Sequence, residues 1–239
     1  MRVVILAAGE GTRMRPITFQ TPKPMIPILG KPHLELIFDE LSKAGIDPSD
    51  IAVVVEYKKE QIIDYFKNHP KYSDVKIIEQ RADKRGTGGA TLVCRDFLGK
   101  DNFILFMGDS LFSLKTIKEF LKFDDSFVYI GAEEVPLDEA RKYGVLKIDG
   151  DFVTESIEKP ENPPSTLIGN GIYKLTPEIF ESLDKVSPVI KNNRVEYHLP
   201  DVFNILAKEK RVKWKKADRI YDLGCPEDIG KAEKILIPK

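Results

Sequence analysis

Short apolar runs alternate with amphipathic stretches of helical length through the first half of this 239-residue chain. The runs lie at residues 2–7, 51–55, 75–78, 103–107 and 127–132. Most stretches between them repeat apolar residues three and four positions apart, which predicts helices at 32–44, 59–66, 86–97 and 114–121. Strands joined by such helices form parallel units with right-handed crossovers. Because the runs are apolar on both faces, the pattern predicts a sheet covered by helices on each side.

The pattern changes after about residue 135. Residues 145–148, 152–157 and 167–174 are strand-like and separated by turn residues, which is typical of hairpins. Helices are predicted at 177–183, 199–208 and 226–236, with a short strand at 212–215. We therefore expect a hairpin-rich insertion beside the main sheet. No low-complexity linker or internal repeat is visible, so a single domain over residues 1–239 is expected.

Composition excludes several classes of protein. The 37 Lys and Arg residues nearly balance the 38 Asp and Glu residues, so the basic excess of a nucleic-acid-binding protein is missing. No run approaches the ~20 apolar residues of a membrane span, and residues 1–20 do not resemble a signal peptide. The two cysteines, Cys94 and Cys225, are too few for a disulfide framework and lack metal-site spacing. We expect a cytoplasmic protein that binds neither nucleic acid nor membranes.

The first predicted strand ends in a turn of small residues. It runs into Leu6-Ala7-Ala8-Gly9-Glu10-Gly11-Thr12-Arg13. The exposed backbone N–H groups of such a turn attract phosphate oxygens. Lys23 lies ten residues after Arg13, between two prolines that restrict its backbone, and adds a second cation. The combination predicts a phosphate-binding site.

Two commoner phosphate loops do not fit this turn. The Gly-x-x-x-x-Gly-Lys-[Ser/Thr] pattern of a P-loop is absent, and Met14 occupies the third glycine position of a dinucleotide fingerprint. Glu56, after the second strand, could still serve as the ribose-binding acid of an NAD-dependent dehydrogenase. NAD binding in a fluorescence titration would reveal that alternative.

Further motifs follow in a fixed order through nearly the whole chain. They are Thr21-Pro22-Lys23-Pro24-Met25, Gly30-Lys31-Pro32, Gln80 with Gly86-Thr87-Gly88-Gly89-Ala90, Gly108-Asp109, Tyr143-Gly144-Val145, Glu158-Lys159-Pro160, Gly169-Asn170-Gly171-Ile172-Tyr173 and Asp222-Leu223-Gly224-Cys225-Pro226-Glu227-Asp228. With the opening turn, this series closely resembles the sugar-1-phosphate nucleotidylyltransferases, the nucleoside-diphosphate-sugar pyrophosphorylases.

The resemblance implies an α/β fold, namely a Rossmann-like three-layer αβα sandwich with a mostly parallel mixed sheet and a small β-rich sugar-binding lobe. It assigns nucleotide binding to about residues 1–135 and sugar binding to about residues 136–239, with no C-terminal β-helix domain. That domain is one usual source of oligomers in the family, so homo-oligomer formation is left open.

The reaction implied is transfer of a nucleotidyl group from a nucleoside triphosphate to a sugar 1-phosphate, with release of pyrophosphate. The attacking phosphate is already an anion, so the enzyme must mainly align two polyanions and neutralise their charge. UTP or dTTP and glucose 1-phosphate are favoured. A GTP-dependent mannose-1-phosphate guanylyltransferase is an alternative, because residues 86–90 are similar to that branch. A catalytically silent nucleotide-sugar-binding regulatory subunit is another.

The resemblance also assigns roles to residues. Arg13, Lys23 and Asp109 are the catalytic set, and Asp109 with Asp222 would hold Mg²⁺, a cation that favours oxygen ligands. The nucleotide-binding residues implied are Leu6, Ala8, Gly9, Gly11, Thr12, Gln80, Gly86 and Thr87. The sugar-phosphate-binding residues implied are Gly144, Glu158, Lys159, Asn170, Tyr173 and Arg194.

The chain departs from the family pattern at two of these sites. Val195 replaces the glycine of a common Arg-Gly-Glu run, which puts the role of Arg194 in doubt. Ile220 stands where a Trp often precedes the second metal-binding Asp, which we interpret as altered packing.

Overall fold

The computed structural model describes residues 1–191 and 194–237. Its strands are β1 (Arg2–Leu6), β2 (Pro27–Ile28), β3 (Lys31–Pro32), β4 (Ile51–Val55), β5 (Lys76–Glu79), β6 (Phe103–Met107), β7 (Ser110–Phe112), β8 (Val128–Glu134), β9 (Gly144–Asp149), β10 (Phe152–Glu158), β11 (Leu167–Leu175), β12 (Val189–Lys191), β13 (Arg194–Glu196), β14 (Val212–Lys216) and β15 (Arg219–Asp222). Its α-helices are α1 (His33–Lys43), α2 (Lys59–Lys67), α3 (Gly86–Leu92), α4 (Arg95–Leu98), α5 (Leu114–Phe120), α6 (Leu137–Ala140), α7 (Glu178–Lys185), α8 (Leu199–Ala207) and α9 (Glu227–Leu236).

One large mixed sheet organises the described residues. Nine strands follow the order β5-β4-β1-β6-β11-β8-β14-β10-β9 within the described part of the chain. Strands β5, β4, β1 and β6 are parallel to one another, whereas β11 runs antiparallel to both of its neighbours, β6 and β8. The predicted mixed α/β class is therefore confirmed.

Both faces of the sheet are covered, as the apolar strands predict. In β1, Val3 and Ile5 pack with Phe38 of α1 on one face. Val4 and Leu6 point to the other face and pack in a second cluster that includes Phe203 of α8. A strand that is apolar at successive positions thus supplies two cores at once, which gives the three layers of the sandwich.

The longest second-half strand does not lie in an insertion beside the sheet. Strand β11 lies inside the sheet between β6 and β8, and Ile168 also pairs with Val145 of β9. Its side chains are mostly buried on both faces, as expected for a strand inside a sheet whose two faces are covered. Among the described second-half strands of this sheet, the β9–β10 hairpin lies at one edge, and β5 from the first half lies at the other. The two halves of the chain therefore share a single sheet.

The predicted helix at 86–97 is interrupted. It divides into α3 and α4, with Val93 and Cys94 between them. Glycine is a weak helix former, and α3 contains three glycines. Their lack of a side chain allows close packing, since a Cβ at Gly89 would lie 2.1 Å from the Lys84 carbonyl oxygen. The glycines thus lower the helix propensity of α3 but allow it to contact the loop before it.

No helix among residues 1–191 and 194–237 is long and apolar enough to cross a membrane.

Gly89→Ala should destabilise the protein by about 1–3 kcal/mol, the usual cost of overpacking, because the new Cβ meets backbone. Gly230→Ala in α9 is the matched control, since no described residue outside its own helix turn lies within 4 Å of its Cβ position. Removing a helical glycine there should stabilise by about 0.5–1 kcal/mol. Urea unfolding measures both, and equal effects of the two substitutions would contradict the packing described.

Candidate active site

The carboxyl ends of the parallel strands meet at one edge of the sheet, where α/β folds bind ligands. The glycine turn follows β1, Gln80 follows β5 and Asp109 follows β6. A cavity of about 470 Å³ opens there. The predicted nucleotide-binding and catalytic residues that line it are Leu6, Ala8, Gly9, Gly11, Thr12, Arg13, Lys23, Gln80, Gly86, Thr87 and Asp109.

A second cavity, of about 160 Å³, lies against the first. The predicted sugar-side and metal residues that line it are Gly144, Glu158, Lys159, Asn170, Tyr173, Asp109 and Asp222. Arg13, Thr87, Met107 and Asp109 line both cavities. A group bound in one cavity can therefore approach a group bound in the other at Arg13 and Asp109.

Gly11 shapes the turn after β1. It has a left-handed backbone with φ +61°, and a Cβ there would lie 2.9 Å from the Thr18 methyl group. The Thr18 hydroxyl donates to the Gly11 carbonyl at 2.9 Å and so stabilises the turn. Both the conformation and the close approach require glycine here.

Lys23 and Asp109 form a direct ion pair. The Lys23 ammonium lies 2.6 Å from Asp109 Oδ2, and the lysine side chain is only 13% exposed. Burial alone would raise the pKa of Asp109, but the charge and hydrogen bond of Lys23 outweigh it and hold that pKa below its usual range. Asp109 is therefore ionised at neutral pH, and Lys23 is fixed at the boundary of the two cavities.

Asp222 is brought beside Asp109 by strand pairing. Strand β15 runs antiparallel to β7 with Asp222 opposite Ser110, and Leu223 N–H donates to the Asp109 carbonyl at 2.9 Å. Burial raises the pKa of Asp222; the nearby Arg219 cation opposes this rise and the charge of Asp109 adds to it. The net effect is a raised pKa, because the nearby cations do not fully offset the burial of the carboxylate.

These two carboxylates fit a hard divalent cation. Asp109 Oδ2 faces Lys23 and Asp222 Oδ2 faces Arg219, so each carboxylate has a second oxygen in addition to its ion-paired one. The described residues contain no group of three or more His, Cys, Asp or Glu side chains able to hold a metal ion. Two carboxylates completed by substrate phosphate oxygens are a usual environment for Mg²⁺.

Gln80 presents an acceptor to the first cavity. Its side-chain N–H groups donate to the carbonyls of Lys84 and Gly86, each at 3.0 Å. With both amide hydrogens used, Oε1 remains to accept a hydrogen bond. Gly86 has φ +79° and a Cβ there would lie 2.4 Å from the Tyr197 carbonyl, so this turn also requires glycine.

Lys159 reaches the second cavity from the end of β10. Its backbone is left-handed, with φ +44°, a conformation that is uncommon for non-glycine residues. Its N–H donates to the Tyr143 carbonyl at 3.1 Å, and its ammonium lies 2.8 Å from Glu158. Tyr173 is packed against Phe203, and burial raises its pKa above the ordinary value.

Arg194 lies at the first cavity and not at the second, which differs from its expected place. Strand β13 is attached to the turn that precedes α3. Arg85 N–H donates to the Val195 carbonyl, and Tyr197 N–H donates to the Arg85 carbonyl. That attachment carries the Arg194 guanidinium to Glu10 of the glycine turn. Its role in sugar-phosphate binding stays a prediction.

Two arginines at the cavities were missed by the sequence reasoning. Arg85 lines the first cavity and pairs with Glu56. Arg219 lines the second cavity and pairs with Asp222 and Glu133. For Arg219 the only sequence signal is its position three residues before a predicted metal-binding Asp.

The chain belongs to the nucleotidyl transferase family, whose sequence profile matches residues 2–237. This confirms the resemblance to sugar-1-phosphate nucleotidylyltransferases that its motifs indicate. The family generally uses a divalent metal.

Individual relatives agree with this assignment. The chain is 41% identical to the bifunctional protein GlmU of Methanocaldococcus jannaschii, over 100% of this chain and 55% of that protein. It is 38% identical to the UTP–glucose-1-phosphate uridylyltransferase AglF of Haloferax volcanii, over 99% of this chain and 96% of that protein. The chain thus spans about half the length of the bifunctional relatives it matches.

A solved structure agrees as well. UDP-glucose pyrophosphorylase complexed with UDP-glucose superimposes with a TM-score of 0.80 and 31% identity, over 98% of this chain and 97% of that one.

His33 lies behind the Lys23–Asp109 pair and is fully buried. Its Nδ1 lies 3.1 Å from the Tyr221 hydroxyl, whereas Nε2 has no partner among the described residues. Burial lowers the pKa of His33 to about 4, with Asp109 opposing and Lys23 adding to the shift.

Stability should therefore fall on acidification between pH 6.5 and 4. Over that range the unfolded chain binds a proton at His33 that the folded chain excludes, so stability is complete above about pH 6.5 and declines below it. The decline amounts to at most about 3 kcal/mol. Urea unfolding at several pH values should show that the free energy of unfolding depends less steeply on pH for His33→Gln than for the wild type. An unchanged slope would contradict the buried neutral histidine.

Proposed function

We propose that this chain transfers a nucleotidyl group from a nucleoside triphosphate to a sugar 1-phosphate. One observation carries the proposal. Two cavities of different size abut at Arg13 and Asp109, and Lys23 is ion-paired at that boundary. A site for joining two phosphate compounds needs such a meeting point with cations fixed beside it.

The side chains have separable tasks in this reaction. Arg13 and Lys23 neutralise the triphosphate at the junction, and Arg13 can do so through two parallel hydrogen bonds. Lys159 binds the phosphate of the sugar 1-phosphate from the opposite side. The glycine turn supplies backbone N–H groups without a charge. Holding the attacking phosphate in line with the α-phosphorus contributes about 7–11 kcal/mol of the rate acceleration in well-oriented reactions.

Asp109 and Asp222 would hold Mg²⁺ for this reaction. The ion supplies a positive charge to the phosphate oxygens as negative charge develops on them. Both carboxylates lie at the cavities, and Asp109 belongs to each of them. No general base is needed, because the attacking phosphate oxygen is already ionised.

The base favoured is uracil or thymine, and the sugar favoured is glucose. The remaining acceptor of Gln80 suits the N3–H of uracil or thymine and does not suit cytosine, whose N3 is itself an acceptor. The names of AglF and of the UDP-glucose complex support UTP and glucose 1-phosphate. The N1–H of guanine also suits an acceptor, so GTP with mannose 1-phosphate is the competing pair. The cytoplasmic location and homo-oligomer formation stay predictions.

A matrix of nucleoside triphosphates against sugar 1-phosphates, followed by pyrophosphate release, tests the proposal. We expect turnover with UTP or dTTP and glucose 1-phosphate. Asp109→Asn should abolish pyrophosphate release with the fold retained, because the residue lines both cavities. Turnover with GTP and mannose 1-phosphate would favour the guanylyltransferase. Nucleotide-sugar binding without pyrophosphate release from any pair would favour the silent regulatory subunit.

Lys159→Ala should raise the KM for the sugar 1-phosphate about tenfold to hundredfold, the effect of losing a charged hydrogen bond of about 1.5–3 kcal/mol. Lys147→Ala is the matched control. Lys147 lies on the same hairpin and pairs with Glu155 at 2.6 Å, but it does not line the second cavity. Steady-state kinetics should show a normal KM for the control. An unchanged KM in Lys159→Ala would mean that the sugar phosphate binds elsewhere.

A further inference from the structure

Arg219 is the least exposed cation of the second cavity, with only 10% of its side chain accessible. Its guanidinium carbon lies 5.3 Å from the centre of the Tyr143 ring. One terminal nitrogen lies 3.2 Å from Asp222 Oδ2, and the other pairs with the Glu133 carboxylate. The Tyr143 hydroxyl also reaches Asp222 Oδ2, at 3.4 Å. Three side chains thus hold one guanidinium in a fixed orientation.

The backbone is adapted to this contact. Side chains three positions apart on a regular strand point to opposite faces of the sheet. In β15 the pairing register with β7 shifts between Arg219 and Tyr221, which marks a β-bulge or similar irregularity. An extra residue in a strand re-aims the side chain before it, and such bulges are common beside active sites. The shift therefore allows Arg219 and Asp222 to meet on the same side.

A row of charged side chains results, with the two carboxylates Asp222 and Asp109 adjacent in it. It runs from Glu133 through Arg219 to Asp222, and then from Asp109 to Lys23. Lys23 occupies Oδ2 of Asp109, and Arg219 occupies Oδ2 of Asp222. Each of the two proposed metal ligands thus uses one of its oxygens in an ion pair with a cationic side chain, Lys23 or Arg219. Among the ion pairs of the described residues, Arg219 is also anchored by a further carboxylate, that of Glu133.

We infer that Arg219 is a positioning residue that orients the Asp222 carboxylate for a divalent cation, with Glu133 and Tyr143 holding its guanidinium in place. This inference rests on the proposed function, because it takes Asp222 as a metal ligand. Arg219 acts through Asp222 and not on the substrate. The planar fork is essential to this role, since an ammonium cannot contact two separate carboxylates with the same geometry.

The positioning role and simple charge compensation predict opposite results for metal binding. Removing a cation beside Asp222 strengthens the attraction of a divalent ion, if charge is all that matters. If Arg219 orients the carboxylate, its removal weakens binding. Loss of such a hydrogen-bonding partner of a metal ligand typically reduces metal affinity tenfold to hundredfold. The direction of the change therefore decides between the two roles.

The experiment is a titration of the substrate-free protein with Mn²⁺, with free Mn²⁺ measured by electron paramagnetic resonance. Arg219→Met should weaken Mn²⁺ binding about tenfold to hundredfold, and Arg219→Lys should lie between it and the wild type. Glu133→Gln keeps Arg219 but removes its anchor, and should cause a smaller loss. Asp222→Ala, which removes the ligand itself, sets the size of a complete loss.

Arg95→Met is the matched control. Arg95 also pairs with a carboxylate, Asp184 at 2.7 Å, and also lies 5.3 Å from an aromatic ring, that of Phe180. It lines neither cavity, so Mn²⁺ binding should be unchanged. Urea unfolding of each variant identifies any that fail to fold; for those, Arg219→Lys and Glu133→Gln carry the test.

Kinetics add a second readout. Arg219→Met should lower kcat at saturating metal and leave the KM for the sugar 1-phosphate unchanged. Unchanged or tighter Mn²⁺ binding in a folded Arg219→Met, a raised sugar-phosphate KM, or a wild type that binds no Mn²⁺ would each overturn the inference. Failure of the proposed function is distinct, because it would appear as wild-type protein that binds Mn²⁺ but releases no pyrophosphate.

Discussion

The ion pair between Lys23 and Asp109 is the contact on which the site depends, and it joins residues 86 positions apart in the chain. Both groups are taken partly out of water, and Lys23 nevertheless holds the pKa of Asp109 below its usual range. Replacing a buried ion pair by well-packed apolar side chains is often neutral or stabilising. Such a pair is weak evidence for stability. Its value is that a cation and a carboxylate are already oriented where two cavities meet, so little reorganisation is needed when phosphates arrive.

The single sheet keeps the two cavities at a fixed separation. The first cavity depends on the ends of β1, β5 and β6, whereas the second is lined from β9, β10 and β11. Strand β11 pairs directly with β6, so the strand that carries Tyr173 is bonded to the strand that precedes Asp109. Two domains joined by a linker would have to close around their substrates. Here the hydrogen bonds of one ladder set the geometry.

The sequence predicted those parts of the site that depend on short stretches of chain. The glycine turn, Gln80 and Lys159 each follow a strand that its own residues specify, and all three line the cavities. What could not be predicted depends on pairing between distant segments. Strands β7 and β15 are each too short to be recognised alone, and their register determines that Arg219 faces Asp222. Arg194 lies at the first cavity because β13 and the residue after it are hydrogen-bonded to Arg85, about 110 residues earlier, and a short stretch of sequence does not reveal that contact.

The two carboxylates of the site are not equivalent, and the reason lies in how their cations are shared. Lys23 pairs with Asp109 at 2.6 Å, and the pKa of Asp109 is lowered despite its burial. Burial raises the pKa of Asp222 above its usual range, and Arg219, which also pairs with Glu133, does not fully oppose that rise. Asp222 therefore gains the most from an added positive charge. A divalent ion bound between the two carboxylates would neutralise the part of the Asp222 charge that Arg219 does not compensate.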